Sequence, residues 1–295
     1  MSLPLPQAGP VPVRSPSPAA RIDTHQHYWR YNAADYAWID DAKAILQTDH
    51  LPEQVRPLMD AAGFDAAIAV QARQTPDETS ALLAFADRHP FVAGVVGWVD
   101  LQADDAGEHL AAIASHPKLV GVRHIVQDED DVRFLLRPAF CRGIAMLAEF
   151  GLTYDILVFP KHLPIVAEFL GRFPDQRFVL DHLAKPEIRH GRIDAWARAL
   201  EDVAAAPNLM AKLSGLITEA SWSDWTSEDL GPYLDVALDV FGPDRLMVGS
   251  DWPVCTLAGS YERTMGVFTR YLSGRPASAQ DAILGGNARR FWKLD

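Results

Sequence analysis

Cysteine is nearly absent: Cys141 and Cys255 are the only two in 295 residues, and they do not form a Cys-x-x-Cys pair. Neither a disulfide framework nor a thiolate zinc site is implied, and a reduced, cytoplasmic compartment fits. No apolar stretch reaches the roughly 18 residues that a membrane span needs. Residues 1–20 (MSLPLPQAGPVPVRSPSPAA) lack the continuous apolar segment of a signal peptide; rich in Pro and Ser, they read as a flexible tail. Positive charge is also scarce, with 27 Lys and Arg against 39 Asp and Glu, a formal net charge of -12. That balance argues against nucleic acid or an anionic membrane as the main partner, because both call for a basic face. No linker-like shift in composition and no internal repeat divides residues 21–295, so one domain is expected, and 48% hydrophobic residues suffice for its core. Oligomeric state carries no signal in the sequence.

What the chain does have is alternation. Eight short apolar runs lie at 21–25, 66–72, 91–100, 119–125, 153–159, 177–183, 209–216 and 245–251. Between and after them come amphipathic stretches at 52–62, 76–89, 104–116, 138–150, 162–173, 192–205, 230–240 and 276–285. Near-continuous Val/Ile/Leu strands alternating with helices indicate a parallel sheet, and eight such units indicate an α/β fold of the (β/α)8 TIM-barrel type. A doubly wound open sheet is the alternative. The longest irregular stretch, 28–51, is rich in aromatics (Tyr28, Trp29, Tyr31, Tyr36, Trp38) and follows the first strand, which puts it on the catalytic face. Of these rings Trp29 is expected near the site and the others in loop packing.

A barrel carries its chemistry at the C-terminal ends of its strands. Those ends hold His25 and His27, Gln71, Arg123 and His124, Asp155, Asp181 and His182, Lys212, and Asp251. His25 and His27 are two apart on a strand, so both imidazoles point to one side with the spacing of metal ligands. The plainer reading is a histidine hydrogen-bonded to a carboxylate. Asp251 suits a metal ligand, a general base or a helix N-cap. Arg123 can polarise a carbonyl oxygen or hold a carboxylate, or pair with Asp155 on the next strand. His182 is flanked by Asp181, of which only one is expected to face the mouth, and Lys212 reads as a buried cation or as a partner of Asp181.

The strings DTHQHYW, VQA with Glu78 seven positions on, GVVGWVDL, GVRH, TYDILV, FVLDHLAKP, KLSGL and GSDWPV resemble the amidohydrolase superfamily. The resemblance is to its amidohydrolase-related family 2 branch and, within it, to sugar-lactone hydrolases of the L-fucono-1,5-lactonase type; it spans nearly all of 21–295. It implies hydrolysis of a sugar-acid lactone, a small neutral substrate, with Asp251 as general base and His27, His182 and Arg123 in catalysis. Trp29, Gln71, Glu78, His124 and Asp155 become candidates for contacts with the substrate. His25, His27 and Asp251 would hold one divalent ion, zinc being the natural choice, or the chemistry would run without one. Metal-dependent relatives usually carry a histidine on strand five and a carboxylated lysine or Glu on strand four. Here Asp155, and Arg123 with His124, stand in those places, which argues against a binuclear centre. A decarboxylase or a hydrolase of an aromatic-derived, carboxylated lactone is the alternative enzyme. A non-catalytic carbohydrate-binding barrel is disfavoured, since binding a neutral sugar does not need such a titratable cluster.

Overall fold

The computed structural model describes residues 20–294; the tail expected over 1–20 lies outside the described residues but for its last one. Eight parallel strands run in sequence order around one sheet: β1 (Ile22–Gln26), β2 (Ala66–Val70), β3 (Val92–Gly97), β4 (Leu119–His124), β5 (Thr153–Ile156), β6 (Phe178–Leu180), β7 (Leu209–Leu213) and β8 (Leu246–Val248). β8 returns to β1. Thr24 Oγ1 donates to Val248 O at 2.7 Å, Asp251 N to His25 O at 2.8 Å and His27 N to Trp252 O at 2.7 Å, which closes the barrel.

The helices surrounding it are α1 (Pro52–Ala62), α2 (Pro76–Arg88), α3 (Ala106–Ala114), α4 (Pro138–Met146), α5 (Leu163–Arg172), α6 (Asp194–Ala204), a short α7 (Leu216–Glu219), α8 (Ser227–Phe241), α9 (Tyr261–Leu272), α10 (Ala277–Asp281) and α11 (Asn287–Trp292). Proline stands at the start of α1, α2 and α4, where its fixed φ suits the first turn and its missing N–H costs nothing. The helix expected at 276–285 is present as α10 and the π-helical turn Ala282–Gly286 that continues it, but a further helix precedes it. The helix that follows β8 is α9, capped by the Ser260 side chain, which accepts from Arg263 N at 3.1 Å. Its inward face is Tyr261, Thr264, Met265, Phe268 and Leu272. The interleaved Arg263, Gly266 and Arg270 obscured that stripe in the sequence.

The barrel interior is layered. Its lower part is apolar, built from Ile68, Val96, Val120, Val179, Met210 and Met247, and Trp292 of α11 closes the floor by donating to Thr153 Oγ1 at 3.0 Å. Burying such side chains stabilises the fold by about 1.5–3 kcal/mol each. Above that floor the inward positions become charged, and the chemistry begins there.

Candidate active site

The first charged layer is fully enclosed. Lys212 of β7 donates to Asp155 Oδ2 at 2.5 Å and lies 3.0 Å from Asp181 Oδ1; all three side chains are inaccessible to solvent. Arg123 of β4 donates to Asp181 Oδ2 at 2.9 Å and to Gln71 O. Two cations thus balance two carboxylates, the arrangement that buried charge requires. Burial pushes the Asp155 carboxyl up to about 6. Burial acts on Asp181 in the same direction, but Lys212, His25 and Arg123 outweigh it and hold that carboxyl well below the ordinary range. Arg123 therefore pairs with Asp181 and not with Asp155, a correction to the expected cross-strand pair.

The second layer is the mouth. Asp251 Oδ1 lies 3.2 Å from His27 Nε2, 3.8 Å from His25 Nε2 and 4.0 Å from His182 Nε2. These imidazoles, helped by a hydrogen bond from His27, overcome the effect of burial and hold the Asp251 carboxyl well below its usual range, so it is an anion at neutral pH. The backbone of Asp251 is itself left-handed, with φ of 58°. Burial pushes the His182 imidazole down to about 4, against the pull of Asp251 and Asp181, so it is neutral at pH 7.

How His182 and Asp181 both reach the interior is the main departure from strand alternation. β6 ends at Leu180, and His182, Leu183, Ala184 and Lys185 then follow with φ of 53°, 51°, 59° and 54°. A left-handed turn of non-glycine residues costs about 1–2 kcal/mol per residue. The surroundings impose it: Trp196 Nε1 donates to Leu183 O at 2.8 Å, Lys185 N to His182 O at 2.8 Å, and Ser214 Oγ lies 2.8 Å from His182 Nδ1. Gly215, with φ of 63°, leaves room for the ring, because a Cβ there would lie 2.5 Å from His182 Nδ1. Strain of this kind concentrates at functional sites.

The tautomers at the mouth follow from the hydrogen bonds. His27 Nδ1 faces Val70 O at 2.8 Å, and a carbonyl only accepts, so Nδ1 carries a proton. Nε2 then meets the Asp251 carboxylate at 3.2 Å, which is favourable only with a cation between them, either a second proton or a metal. His25 Nδ1 lies 3.4 Å from Asp181 Oδ1, a carboxylate–histidine contact of the kind that orients metal ligands. The donor atoms of His25, His27 and Asp251 lie within 4.8 Å of one another, as do those of His25, Asp181 and His182. A nitrogen-rich set with one carboxylate fits a zinc-like ion.

Above these groups a cavity of about 300 Å³ is lined by His27, Arg123, His182 and Asp251 together with Trp38, Lys43, Asp128, Lys185, Glu219 and Trp222. The four expected catalytic residues therefore meet in one place, with His25 directly beneath. The five expected substrate contacts do not line this cavity. Asp155 is sealed under Lys212. Gln71 donates to Arg123 O at 3.0 Å and braces β4. Glu78 accepts from Ala72 N at 2.8 Å, Arg73 Nε at 2.8 Å and Tyr36 OH at 3.2 Å, tying the aromatic loop to β2. His124 faces outward, stacked 4.6 Å from the Phe134 ring and 2.7 Å from Glu129 Oε1. Alternation alone puts it there, one residue after the inward Arg123. Trp29 is buried behind the wall, donating to Thr48 O at 3.0 Å, and it is Trp38 that reaches the cavity. Lys43, Lys185, Glu219 and Trp222 lie on loops and short helices, where the sequence has no period to mark them.

A buried carboxylate ringed by three imidazoles, in a cavity it shares with a guanidinium at the mouth of a closed parallel barrel, is equipped to activate water, the equipment of a barrel hydrolase. The protein belongs to the amidohydrolase family, whose model matches residues 22–294. The chain is 45% identical to the L-fucono-1,5-lactonase of Burkholderia multivorans over 94% of its own length and 97% of the relative's. It is 38% identical to the L-fucono-1,5-lactonase of Burkholderia ambifaria, over 93% of this chain and 96% of that one. A crystal structure of an amidohydrolase from Burkholderia multivorans with bound zinc superposes with a TM-score of 0.90 at 44% identity, covering 94% of this chain and all of that one. No helix among the described residues is long and apolar enough to cross a membrane.

Proposed function

We propose that this enzyme opens a sugar-acid lactone of the L-fucono-1,5-lactone type with water, giving the aldonate. The observation that carries this reading is the convergence of His25, His27 and His182 on Asp251 Oδ1 beside Arg123, in a cavity sized for one sugar ring. The names of the 45% and 38% identical relatives support the substrate class, and with it a place in L-fucose catabolism. The free thiols of Cys141 and Cys255 suit a reduced cytoplasm.

In the reaction a water oxygen bonds to the lactone carbonyl carbon while its proton passes to the Asp251–His27 pair. Charge gathers on the former carbonyl oxygen, where Arg123 and the neutral His182 donate to it; removing one such donor typically costs about 10²–10³ in rate. The ring C–O bond then breaks, and the proton held by the pair goes to the departing ring oxygen, which becomes a hydroxyl. The product carboxylic acid ionises in solution. His25, His27 and Asp251 are the residues that would hold a divalent ion, and such an ion supplies Lewis-acid polarisation of the carbonyl. The zinc bound in the 44% identical structure is compatible with a divalent ion in this enzyme.

A carboxylated, aromatic-derived lactone would meet Lys185 as an unpaired cation in the wall, but Glu219 and Asp128 in the same lining would repel the added carboxylate. Turnover of 1,4- and 1,5-aldonolactones, followed by acid release with and without chelator, tests the reading. Hydrolysis of six-membered 6-deoxy lactones is expected. No turnover of any lactone with divalent metal supplied, together with activity on aromatic carboxylates, would transfer the site to the alternative.

A further inference from the structure

Of the four charged side chains in the cavity wall without a role in the chemistry above, Lys43 is paired with Asp40 and Asp128 is exposed to solvent, which leaves Lys185 and Glu219. Lys185 is the last residue of the left-handed turn that also presents His182. Its burial in the wall is partial, and its ammonium has no ion-pair or hydrogen-bond partner among the described residues, only the face of Phe159 at 5.6 Å. Glu219 ends α7, four residues after the glycine that makes room for His182, and its carboxylate likewise has no partner among the described residues. Burial raises the Glu219 carboxyl, Lys185 lowers it and Asp251 raises it, so it senses both the other wall charge and the catalytic anion. Trp222 stands beside them in the lining, half-exposed, with its indole N–H donated to Thr218 O at 2.9 Å.

Charges with only a structural role are normally paired when they are withdrawn from water. A carboxylate and an ammonium left open on one wall of a small pocket are instead matched to groups that donate to one and accept from the other. Ring hydroxyls do both, and an aromatic face nearby suits the C–H side of a sugar. We propose that Glu219 and Lys185 are the specificity-determining pair of this pocket, reading ring hydroxyls of the lactone and so setting which sugar configuration is accepted. The proposal rests on the lactone reading and extends it to residues on the β6 and β7 side of the mouth.

The test is steady-state kinetics of the wild type, Glu219→Gln and Lys185→Gly on a fully hydroxylated 1,5-aldonolactone and on analogues each lacking one ring hydroxyl. Glu219→Gln should raise KM about tenfold or more, the usual effect of neutralising a charged hydrogen-bond partner, with kcat within about threefold. For the one analogue that lacks the hydroxyl being read, wild type and variant should have the same KM. Lys185→Gly should likewise raise KM, yet melt at a higher temperature, because glycine adopts a positive φ without strain. KM unchanged for every lactone overturns the proposal. So does a fall in kcat that is equal across all analogues, which would put Glu219 in the chemistry. A wild type inactive on every lactone removes the lactone reading itself, and the pair with it; that outcome is distinct from an active wild type with an indifferent Glu219→Gln.

Discussion

Replacing Lys212 by Met removes a fully buried cation while keeping an unbranched apolar stem over the Trp292 ring, which the ammonium now faces at 5.6 Å. The ammonium bridges Asp155 at 2.5 Å and Asp181 at 3.0 Å; Arg123 holds Asp181 as well, but Asp155 has no second cation in contact. Asp155 is therefore the group left uncompensated. Breaking a buried pair from one side costs about 3–5 kcal/mol, so Lys212→Met should lose about that much in urea unfolding followed by tryptophan fluorescence at pH 8. Burial already places the Asp155 carboxyl near 6, above its unfolded value of 3.8. A raised carboxyl favours folding at low pH, and that contribution is lost as the pH rises through 6. Without Lys212 the carboxyl moves higher still, so the deficit should shrink as the pH is lowered from 8 to 6. Asp155→Asn placed on top should cost little more, because the charge it removes is the one left unpaired. Losses that simply add, about 6–10 kcal/mol for the double variant, would refute the reasoning.

Gly215→Ala should destabilise by about 1–3 kcal/mol in the same unfolding assay, since φ of 63° and a Cβ 2.5 Å from His182 Nδ1 oppose it. It should also cut kcat by about 10², because the displaced ring is one of the groups at the mouth. Arg123→Met should lower kcat by about 10²–10³ with a smaller change in KM, and Arg123→Lys should not restore it, since one ammonium cannot meet Asp181 and the carbonyl oxygen together. In chelator, the melting temperature should fall as the pH drops from 7 to 5. His25, His50, His124, His162 and His182 are all lowered by burial from the ordinary 6.5, so as the pH falls below 6.5 the unfolded chain takes up protons before the folded one and stability falls with pH. The raised carboxyls of Asp23, Asp155 and Glu219 act in the opposite sense but are fewer. A melting temperature that rises over this interval would contradict the lowering of these imidazoles by burial.

Where physical periodicity exists, the sequence was legible. Eight apolar runs became β1–β8 in order, and 52–62 became α1 with the same bounds. His25, His27, Arg123, His182 and Asp251 could be gathered because a closed barrel brings every strand end to one mouth. Two kinds of feature escaped. Asp181 and His182 both face inward because the chain leaves strand geometry after Leu180, and a left-handed turn of non-glycine residues has no signature in residue type. The wall residues Trp38, Lys43, Lys185, Glu219 and Trp222 lie on segments whose paths are set by distant contacts, such as the Trp196 bond to Leu183 O. His124 is different: strict alternation after Arg123 already turns it away from the barrel axis.

The most direct test is turnover of a six-membered 6-deoxy aldonolactone by the wild type and Asp251→Asn, with calorimetric binding of the aldonate to both. Asp251 is the anion on which His25, His27 and His182 converge. The wild type should hydrolyse the lactone, and Asp251→Asn should lose about 10²–10⁴ in kcat while still binding the aldonate. An Asp251→Asn enzyme that keeps its rate, or a wild type that opens no lactone with divalent metal supplied, would contradict lactone hydrolysis at this mouth.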